Sequence, residues 1–404
     1  MIKRELYLKQ IRRWIDNEAV KAITGVRRSG KTYILYSIIE ELKQKGINEE
    51  NIFLISFESQ KYNRIENFKQ LDETINKLVK NVEGKIYLLF DEIQLVEGWQ
   101  KSINSYRVDL NCDLYITGSN SELLSNELSI LMSGRYKEIK IYPFSFKEFL
   151  QYKKEINNIN INKFNEEELF DEYLKYGGMP QLLNINKIDK YSYLEDIYSV
   201  IFLKDIIYTH NIRNTDMLNR LLNYIILNIG NTFSANKISA YFKNEGRKIS
   251  ADTILDYIMY ATDAYFIHKV PREDLIGKKV LKTKEKYYLI DHGFHQTKIF
   301  NTETKGKVLK NIVYIELLRR GYNIKVGRVN EKEIDFVCIK NKNKIYIQVC
   351  LDLSKEDTKN REFSSLEKVN DNYDKYVLSL DKEDYSYNGF KHRNIIEFLK
   401  TDEI

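Results

Sequence analysis

Residues 19–42 read AVKAITGVRRSGKTYILYSIIEEL and contain the pattern G-x-x-x-x-G-K-T from Gly25 to Thr32. An apolar run precedes the pattern, and a stretch with helical spacing of apolar residues follows it. A phosphate-binding loop needs this context, because its backbone N–H groups and the start of the following helix face the phosphates. Gly25 and Gly30 allow a tight turn and a close approach to the phosphates. The sequence therefore predicts a nucleotide-binding loop between a strand and a helix.

The residues of this loop have expected roles. Lys31 would reach the outer phosphates as a point charge, and Thr32 would ligate Mg²⁺ through its hydroxyl group. Arg27 and Arg28 have no role that the sequence explains. The predicted nucleotide-binding residues are Gly25, Val26, Arg27, Arg28, Ser29, Gly30, Lys31 and Thr32.

Short apolar runs alternate with amphipathic stretches between residues 19 and 145. The runs span 19–24, 51–59, 85–94, 112–120 and 136–144. Near-continuous apolar strands separated by helices are typical of a parallel sheet that is buried on both faces. The predicted fold class is therefore α/β, with a five-stranded parallel sheet.

The third and fourth runs end in polar residues that are suited to nucleotide hydrolysis. The third ends in Asp91 and Glu92, and strand ends of this kind point into the ligand crevice of a doubly wound sheet. We expect Asp91 to bind Mg²⁺, directly or through water, and Glu92 to orient and deprotonate the attacking water. Ser119 ends the fourth run and is expected beside the γ-phosphate, with Thr117 and Asn120 as alternatives.

Arg135 follows the next predicted helix, within SGRYKEIKIYPF, and lies too far along the chain to join the same pocket. An arginine at this place can reach the γ-phosphate bound to a neighbouring subunit and stabilise charge in the transition state. A surface or salt-bridged arginine is the alternative interpretation.

The motifs GVRRSGKT, LLFDEIQ, ITGSN and SGRYKEIKIYPFSFKEF together resemble those of AAA-plus P-loop ATPases. The chain resembles in particular the prokaryotic members that carry a C-terminal domain of unknown function with a restriction-endonuclease-like core. The likeness continues through YLKYGGMPQLL and KVLKNIVYIELLRRGYNIKVGR. The resemblance implies ATP as the nucleotide and ATP hydrolysis as the activity. It also implies that Arg135 is an arginine finger acting in trans, and hence a homo-oligomer.

The resemblance and the patterns divide the chain into four predicted domains. The ATPase core is 1–150, a helical lid or connector is 151–212, a winged helix-turn-helix domain is 213–300, and a nuclease-like domain is 301–404. Gly177 interrupts the first lid helix, and it serves either as a hinge or as a plain turn.

A predicted hairpin in the winged-helix region crowds five lysines between residues 278 and 286. Clustered positive charge of this kind suits contacts with DNA phosphates. A solvated, lysine-rich hairpin that packs between domains is the alternative. The predicted contacts with double-stranded DNA are Arg247, Lys248, Lys278, Lys279 and Lys282.

The last hundred residues predict the order helix, three strands, helix, strand, which resembles the PD-(D/E)xK nuclease core. Asp335 matches the first carboxylate of that core, and Gln348 matches the second position. Cys350 falls where a lysine is needed, and Lys310 falls where a helix glutamate is usual. Mg²⁺ prefers oxygen anions, so this set predicts a degenerate site without nuclease activity.

Composition and charge exclude several classes of protein. The 404 residues carry a net charge of only +6, so any basic surface must be local. Three isolated cysteines indicate neither a disulfide framework nor a C-x-x-C metal pair. His292 and His295 have the spacing of a metal pair, but a structural turn is favoured over zinc.

No apolar run reaches the about 18 residues of a membrane span, and the first residues lack the apolar core of a signal peptide. A cytoplasmic protein without a membrane partner is therefore expected. The leading functional hypothesis is an ATP-hydrolysing switch or motor that acts on DNA. The alternatives are a nucleotide-dependent regulatory or scaffold protein with a protein partner, and an ATP-dependent nuclease.

Overall fold

The chain folds into two units, which the computed structural model describes over residues 2–124, 134–155, 165–277, 279–298 and 304–402. Of residues 122, 124 and 279–284 it describes the backbone alone. The first unit consists of Met1–Tyr142 with Asp263–Tyr265, and the second consists of Pro143–Thr262 with Phe266–Ile404.

The first unit is built on a parallel sheet of five strands. They are β1 (Val20–Thr24), β2 (Ile52–Ser56), β3 (Ile86–Asp91), β4 (Cys112–Gly118) and β5 (Tyr136–Lys140). Their order in the sheet is β2-β3-β4-β1-β5, and every neighbouring pair is parallel. The predicted α/β fold with five parallel strands is therefore confirmed for this unit.

Helices cover both faces of this sheet. They are α1 (Glu5–Arg12), α2 (Lys31–Gln44), α3 (Phe68–Val79) and α4 (Trp99–Asp109). Leu88 packs with the side chains of α3 and α4, whereas its neighbour Leu89 packs with those of α1 and α2. Successive side chains of a strand point to opposite faces, so burial on both faces requires the continuous apolar runs seen in the sequence.

The second unit is built on a sheet of seven strands. They are β6 (Ile267–Asp274), β7 (Lys279–Leu289), β8 (Asn323–Val329), β9 (Lys332–Lys340), β10 (Asn343–Val349), β11 (Asp374–Ser379) and β12 (Phe390–Asn394). Their order is β12-β11-β10-β9-β8-β6-β7. The β6–β7 hairpin joins this sheet through a parallel ladder between β6 and β8. The predicted division at residue 300 thus falls between strands of one sheet, and the four-domain organisation stays a prediction.

The helices of the second unit follow the predicted order. They are α5 (Phe146–Glu155), α6 (Glu166–Tyr176), α7 (Lys190–Val200), α8 (Thr215–Leu227), α9 (Ala235–Asn244), α10 (Ala251–Asp263), α11 (Gly293–Gln296), α12 (Lys305–Arg319), α13 (Glu356–Glu367) and α14 (Ile395–Lys400). A π-helix over Ile201–Tyr208 continues α7. Three of these helices, α8 to α10, come directly before the β6–β7 hairpin. A helix, three strands, a helix and a strand then follow in the predicted order, whereas the winged-helix and nuclease-like assignments remain proposals.

The glycine pair at the end of α6 is tightly packed. Gly177 has φ 81°, and a Cβ atom there would lie 1.8 Å from Oδ1 of Asp291. A Cβ atom on Gly178 would lie 2.2 Å from the carbonyl oxygen of Phe144. The Gly178 N–H donates a 2.7 Å hydrogen bond to the Asp291 carboxylate. These contacts favour the turn over the hinge.

Candidate functional site

The predicted phosphate loop joins β1 to α2. Gly25 has φ 145° and Gly30 has φ 100°, so both adopt backbone conformations that favour glycine. A Cβ atom on Gly25 would lie 2.2 Å from the carbonyl oxygen of Ile141, which a side chain cannot tolerate. Gly30 is also the N-cap of α2, so the free N–H groups of that helix begin at the loop. The loop therefore has the backbone that anion binding requires.

Lys31 places its ammonium group against the loop. The side chain is buried, and Nζ donates to the carbonyl oxygens of Gly25 at 3.1 Å and Val26 at 3.4 Å. The same Nζ lies 3.4 Å from Oε1 of Glu92. Lys31 therefore connects the loop with the acid pair that follows β3.

Thr32 and Asp91 form the predicted metal site. The Thr32 hydroxyl donates to the Asp91 carboxylate, with Oγ1 3.0 Å from Oδ2 and 3.2 Å from Oδ1. Thr117 donates to Oδ1 at 2.8 Å, and Ser56 donates to Oδ2 at 3.3 Å. These are the oxygen donors that Mg²⁺ prefers, and Mg²⁺ at phosphate sites uses only one or two carboxylates together with the phosphates. The residues present therefore fit this cation.

Glu92 has a strained backbone conformation beside the predicted metal site. Its φ of 57° lies in the left-handed region, which non-glycine residues seldom adopt. Its backbone N–H donates to the Thr117 hydroxyl at 2.9 Å, and its Oε2 accepts a 2.6 Å hydrogen bond from Nε2 of Gln94. Two bonded neighbours therefore fix both the backbone and the carboxylate.

The two adjacent carboxylates have pKa values displaced in opposite directions. Burial raises the pKa of Asp91, and the charge of Glu92 adds to this effect. Burial also opposes ionisation of Glu92, but the charge of Lys31 and the Gln94 hydrogen bond outweigh it and lower the pKa of Glu92. Glu92 therefore remains ionised, as a proton acceptor must be before it acts.

Two of the residues predicted to sense the γ-phosphate, Thr117 and Ser119, have different surroundings. Thr117, an alternative in the sequence, lies between the two acids and contacts both. Ser119 is buried, and its Oγ lies 3.5 Å from Nε2 of Gln94. Gln94 is the site residue that sequence reasoning missed. Its only signal was a polar side chain two positions after Glu92.

The three arginines that the sequence analysis singled out in the first unit lie in different places. Arg27 forms an ion pair with Glu58 at 3.3 Å, and Arg28 is exposed with φ 67°. Arg135 is exposed, and its carbonyl oxygen accepts the Val20 N–H at the start of β1. At about 3.3 Å per residue, the length of β1 separates Arg135 from the loop by roughly 15 Å. Action of Arg135 in trans therefore stays a prediction.

Among the predicted DNA contacts, Arg247 is engaged in an ion pair with Asp216, and Lys248 is exposed. The predicted contacts at Lys278, Lys279 and Lys282 lie outside the described side chains. Lys286, counted with the crowded lysines of the hairpin, is instead buried and paired with Glu333. Lys286 was not among the predicted DNA contacts, so its burial leaves that prediction untested.

The predicted degenerate nuclease site forms a closed network in the second unit. Asp335 is buried, and its Oδ1 accepts a 2.5 Å hydrogen bond from Nζ of Lys310. Its Oδ2 accepts the Val349 N–H at 3.0 Å. Gln348 accepts the Asp335 N–H at 2.6 Å, and its Nε2 donates to Glu362 at 3.1 Å. Lys310 thus lies against the carboxylate that a metal ion would need.

Glu362, on α13, is the member of this network that the sequence did not reveal. Burial and the charge of Asp335 raise its pKa. Cys350 is buried, and burial raises the pKa of its thiol. Glu316, further along α12 than Lys310, forms an ion pair with Arg320 at 2.8 Å.

Within the described ranges, no group of three or more His, Cys, Asp or Glu side chains is arranged to hold a metal ion. His292 and His295 are both buried, and Nε2 of His292 lies 2.7 Å from the carbonyl oxygen of Tyr173. No helix in the described part combines the length and apolar composition needed to cross a bilayer.

Comparisons with known proteins place these observations in a family. Residues 17–150 match the AAA domain, and residues 167–304 match a domain of unknown function, DUF8612. The second match does not test the nuclease-like assignment of residues 301–404.

Two relatives match over almost the whole chain. A Haemophilus influenzae protein, described only as uncharacterized, is 39% identical over 380 residues, which cover 94% of this chain and 93% of that protein. The uncharacterized protein MJ1544 of Methanocaldococcus jannaschii is 34% identical over 388 residues, which cover 91% of this chain and 81% of that protein.

Among solved structures, the chain is similar to the Walker-type ATPase PABY2304 of Pyrococcus abyssi. The TM-score is 0.53 at 15% identity, and the match covers 74% of this chain and 96% of that one. At this identity the likeness shows the fold alone. Since both relatives exceed 30% identity over nearly their full lengths, and residues 17–150 match the AAA domain, this chain belongs to their family and carries an AAA-type P-loop ATPase domain.

Proposed function

We propose that this protein binds ATP with Mg²⁺ and hydrolyses it to ADP and phosphate as a molecular switch or motor. One observation carries the proposal. The loop after β1 and the acid pair after β3 meet, with Thr32 bonded to Asp91 and Lys31 within 3.4 Å of Glu92. Four side chains with complementary roles in phosphoryl transfer thus lie together.

The loop and Lys31 supply the binding of the triphosphate. Backbone N–H groups at a helix N-terminus favour anions, and a buried ammonium group beside them adds a positive charge. The carbonyl oxygens of Gly25 and Val26 hold that ammonium group in place. We infer that the phosphates replace Glu92 as the anionic partner of Lys31.

Thr32 and Asp91 would hold the magnesium ion. When bound, Mg²⁺ neutralises the negative charge on the phosphate oxygens. Thr117 and Ser56 hold the Asp91 carboxylate from two sides, so its oxygens face Thr32 in a fixed orientation. A ligand held in this way loses little conformational entropy when the cation arrives.

Glu92 is the proposed general base. A water molecule attacks the γ-phosphorus, and Glu92 takes the proton that this water loses. The lowered pKa of Glu92 supports this assignment, because the carboxylate is ionised at neutral pH. Ser119 is the proposed sensor of the γ-phosphate, and Arg135 of a neighbouring copy is the proposed arginine finger.

A pair of lysine variants of α2 tests this function. Lys31→Ala is expected to abolish ATP binding, measured by titration calorimetry at millimolar Mg²⁺, together with phosphate release. Lys45→Ala is the matched control, because Lys45 is exposed at the C-terminal end of the same helix. Wild-type protein that retains no ATP under these conditions would contradict the proposal.

We further propose that ATP turnover is coupled to double-stranded DNA. The support is the lysine-rich sequence of the β6–β7 hairpin and the exposed Lys248. Duplex DNA is expected to raise turnover, and its binding should weaken steeply with salt. If turnover is unchanged and no gel shift appears at low salt, the alternative of a regulatory or scaffold protein with a protein partner is favoured.

A further inference from the structure

Gln94 is placed to control the carboxylate of Glu92. It lies in the short 3-10 turn Ile93–Leu95, which follows Glu92 directly. The left-handed backbone of Glu92 reverses the chain, so the Gln94 side chain returns toward the site. Its Nε2 donates to Oε2 of Glu92 at 2.6 Å.

The Gln94 amide is oriented by its hydrogen bond to Glu92. Carboxylate oxygens accept hydrogen bonds, and the NH₂ group of Gln94 faces Oε2 of Glu92. The same Nε2 lies 3.5 Å from Oγ of Ser119. The Gln94 amide therefore contacts two predicted site residues, Glu92 directly after β3 and Ser119 directly after β4.

The Gln94 amide packs closely against Gly118, at the end of β4. A Cβ atom on Gly118 would lie 2.9 Å from Oε1 of Gln94 and 3.1 Å from Leu123. The glycine at the end of β4 thus makes space for the glutamine side chain. Oε1 of Gln94 is itself buried, without a hydrogen-bond partner among the described residues.

The two oxygens of Glu92 consequently have different surroundings. Oε2 is occupied by Gln94 at 2.6 Å, whereas Oε1 lies 3.4 Å from Nζ of Lys31, on the side of the phosphate loop. A hydrogen bond to a charged group is strong and directional, so it defines which oxygen remains available for proton transfer.

We propose that Gln94 is a positioning residue for ATP hydrolysis, which holds Oε2 of Glu92 so that Oε1 accepts the proton of the attacking water. The inference rests on the proposed ATPase function. In the step, the water oxygen forms a bond to the γ-phosphorus while one water proton moves to Oε1. The bond from that phosphorus to the bridging oxygen breaks, and its electron pair stays on ADP.

The test is a cycle of variants at Gln94 and Glu92, measured by single-turnover ATP hydrolysis and by ATP affinity. Gln94→Met keeps the length of the side chain and removes the donor. It is expected to lower kcat roughly 10- to 100-fold, the effect of losing a hydrogen bond to a charged group, with ATP affinity unchanged. Gln44→Met, at the exposed end of α2, is the control and should match the wild type.

The double variant separates positioning from packing. If Gln94 acts through Glu92, Glu92→Gln with Gln94→Met hydrolyses ATP no more slowly than Glu92→Gln alone. A second loss of similar size in the double variant, or loss of ATP affinity in Gln94→Met, would overturn the inference.

The outcomes also separate this inference from the ATPase function itself. If the wild-type protein hydrolyses ATP and Gln94→Met is equally active, Gln94 has no positioning role, but the proposed ATPase function is not affected. If the wild-type protein hydrolyses no ATP, the proposed function is wrong, and so is the role of Gln94 that rests on it.

Discussion

Nζ of Lys310 lies 2.5 Å from Oδ1 of Asp335, the residue that the sequence matched with the first carboxylate of a nuclease core. The carboxylate is buried, while the lysine side chain is partly exposed. The ammonium group supplies the positive charge that would otherwise have to come from a bound cation. The Asp335 carboxylate is therefore already paired with a cation, which agrees with the prediction of a degenerate site.

The first prediction concerns this ion pair. Lys310→Met leaves the Asp335 charge buried and uncompensated, so the free energy of unfolding should fall by about 1–3 kcal/mol, less than for a fully buried pair because Lys310 is partly exposed. Chemical denaturation measures the change. Adding Asp335→Asn to this variant should recover much of the loss.

Lys344→Met is the control for Lys310, because its ion pair with Asp371 is longer, at 3.8 Å, and both partners are partly exposed, whereas Asp335 is buried. Its effect should stay below about 1 kcal/mol.

Wild-type protein with Mg²⁺ should leave plasmid DNA intact. Nicking that disappears in Asp335→Ala would show instead that the centre is an active nuclease.

The second prediction concerns Glu92. Glu92→Gln removes the proton acceptor but keeps the size of the side chain and its contact with Gln94. Turnover should fall about 10²- to 10⁴-fold, as for other general bases, while ATP stays bound. Radiolabelled ATP retained on the purified variant, with wild-type affinity, checks this result. Wild-type turnover in Glu92→Gln would assign the proton transfer to another group.

The third prediction concerns Arg135. Since the Arg135 backbone lies roughly 15 Å from the phosphate loop of its own subunit, Arg135→Ala should lower turnover without lowering ATP affinity. Mixing Arg135→Ala with Lys31→Ala protein provides the decisive measurement. In a mixed assembly, an intact loop from one variant faces an intact arginine from the other.

Turnover of that mixture should therefore exceed the sum of the two separate variants. The mass of the assembly with and without ATP shows whether subunits associate at all. An Arg135→Ala protein that hydrolyses ATP normally in its assembled state would leave Arg135 as an ordinary surface residue.

The sequence predicted the features that depend on local pattern. Strand runs buried on both faces, the glycines around Lys31 and the acids at the end of β3 follow from periodicity and from the steric needs of backbone and phosphate. Side-chain partners between distant segments were not predictable in this way. Gln94 and Glu362 carry no spacing signal, and their roles depend on which strand or helix packs beside them.

The same limit applies to Lys286, whose burial the sequence does not indicate. In the sequence it is one of five lysines in a charged run, yet in the structure it is buried against Glu333. Alternation along β7 decides which lysines face solvent, and the pairing of β7 with β6 decides what the inward ones meet. Charge counted along a strand therefore overestimates the charge that its surface presents.

The fourth prediction concerns the acid stability of the second unit. His295 is fully buried, and neither ring nitrogen has a hydrogen-bond partner among the described residues. Burial lowers the pKa of His295 to about 4, from 6.5. The unfolded chain therefore binds a proton between these two values while the folded protein does not. Stability should fall as the pH drops from 6.5 to 4, by at most about 3 kcal/mol from this group.

Urea unfolding of wild-type protein and His295→Met across pH 4.5 to 7.5 measures this contribution. The variant cannot titrate at this position, so its free energy of unfolding should depend less steeply on pH. Gln44→Met, at an exposed position without a titratable group, provides the control variant, whose pH dependence should follow the wild type. Equal slopes for His295→Met and wild type would show that other groups, such as the buried His292, cause the acid sensitivity.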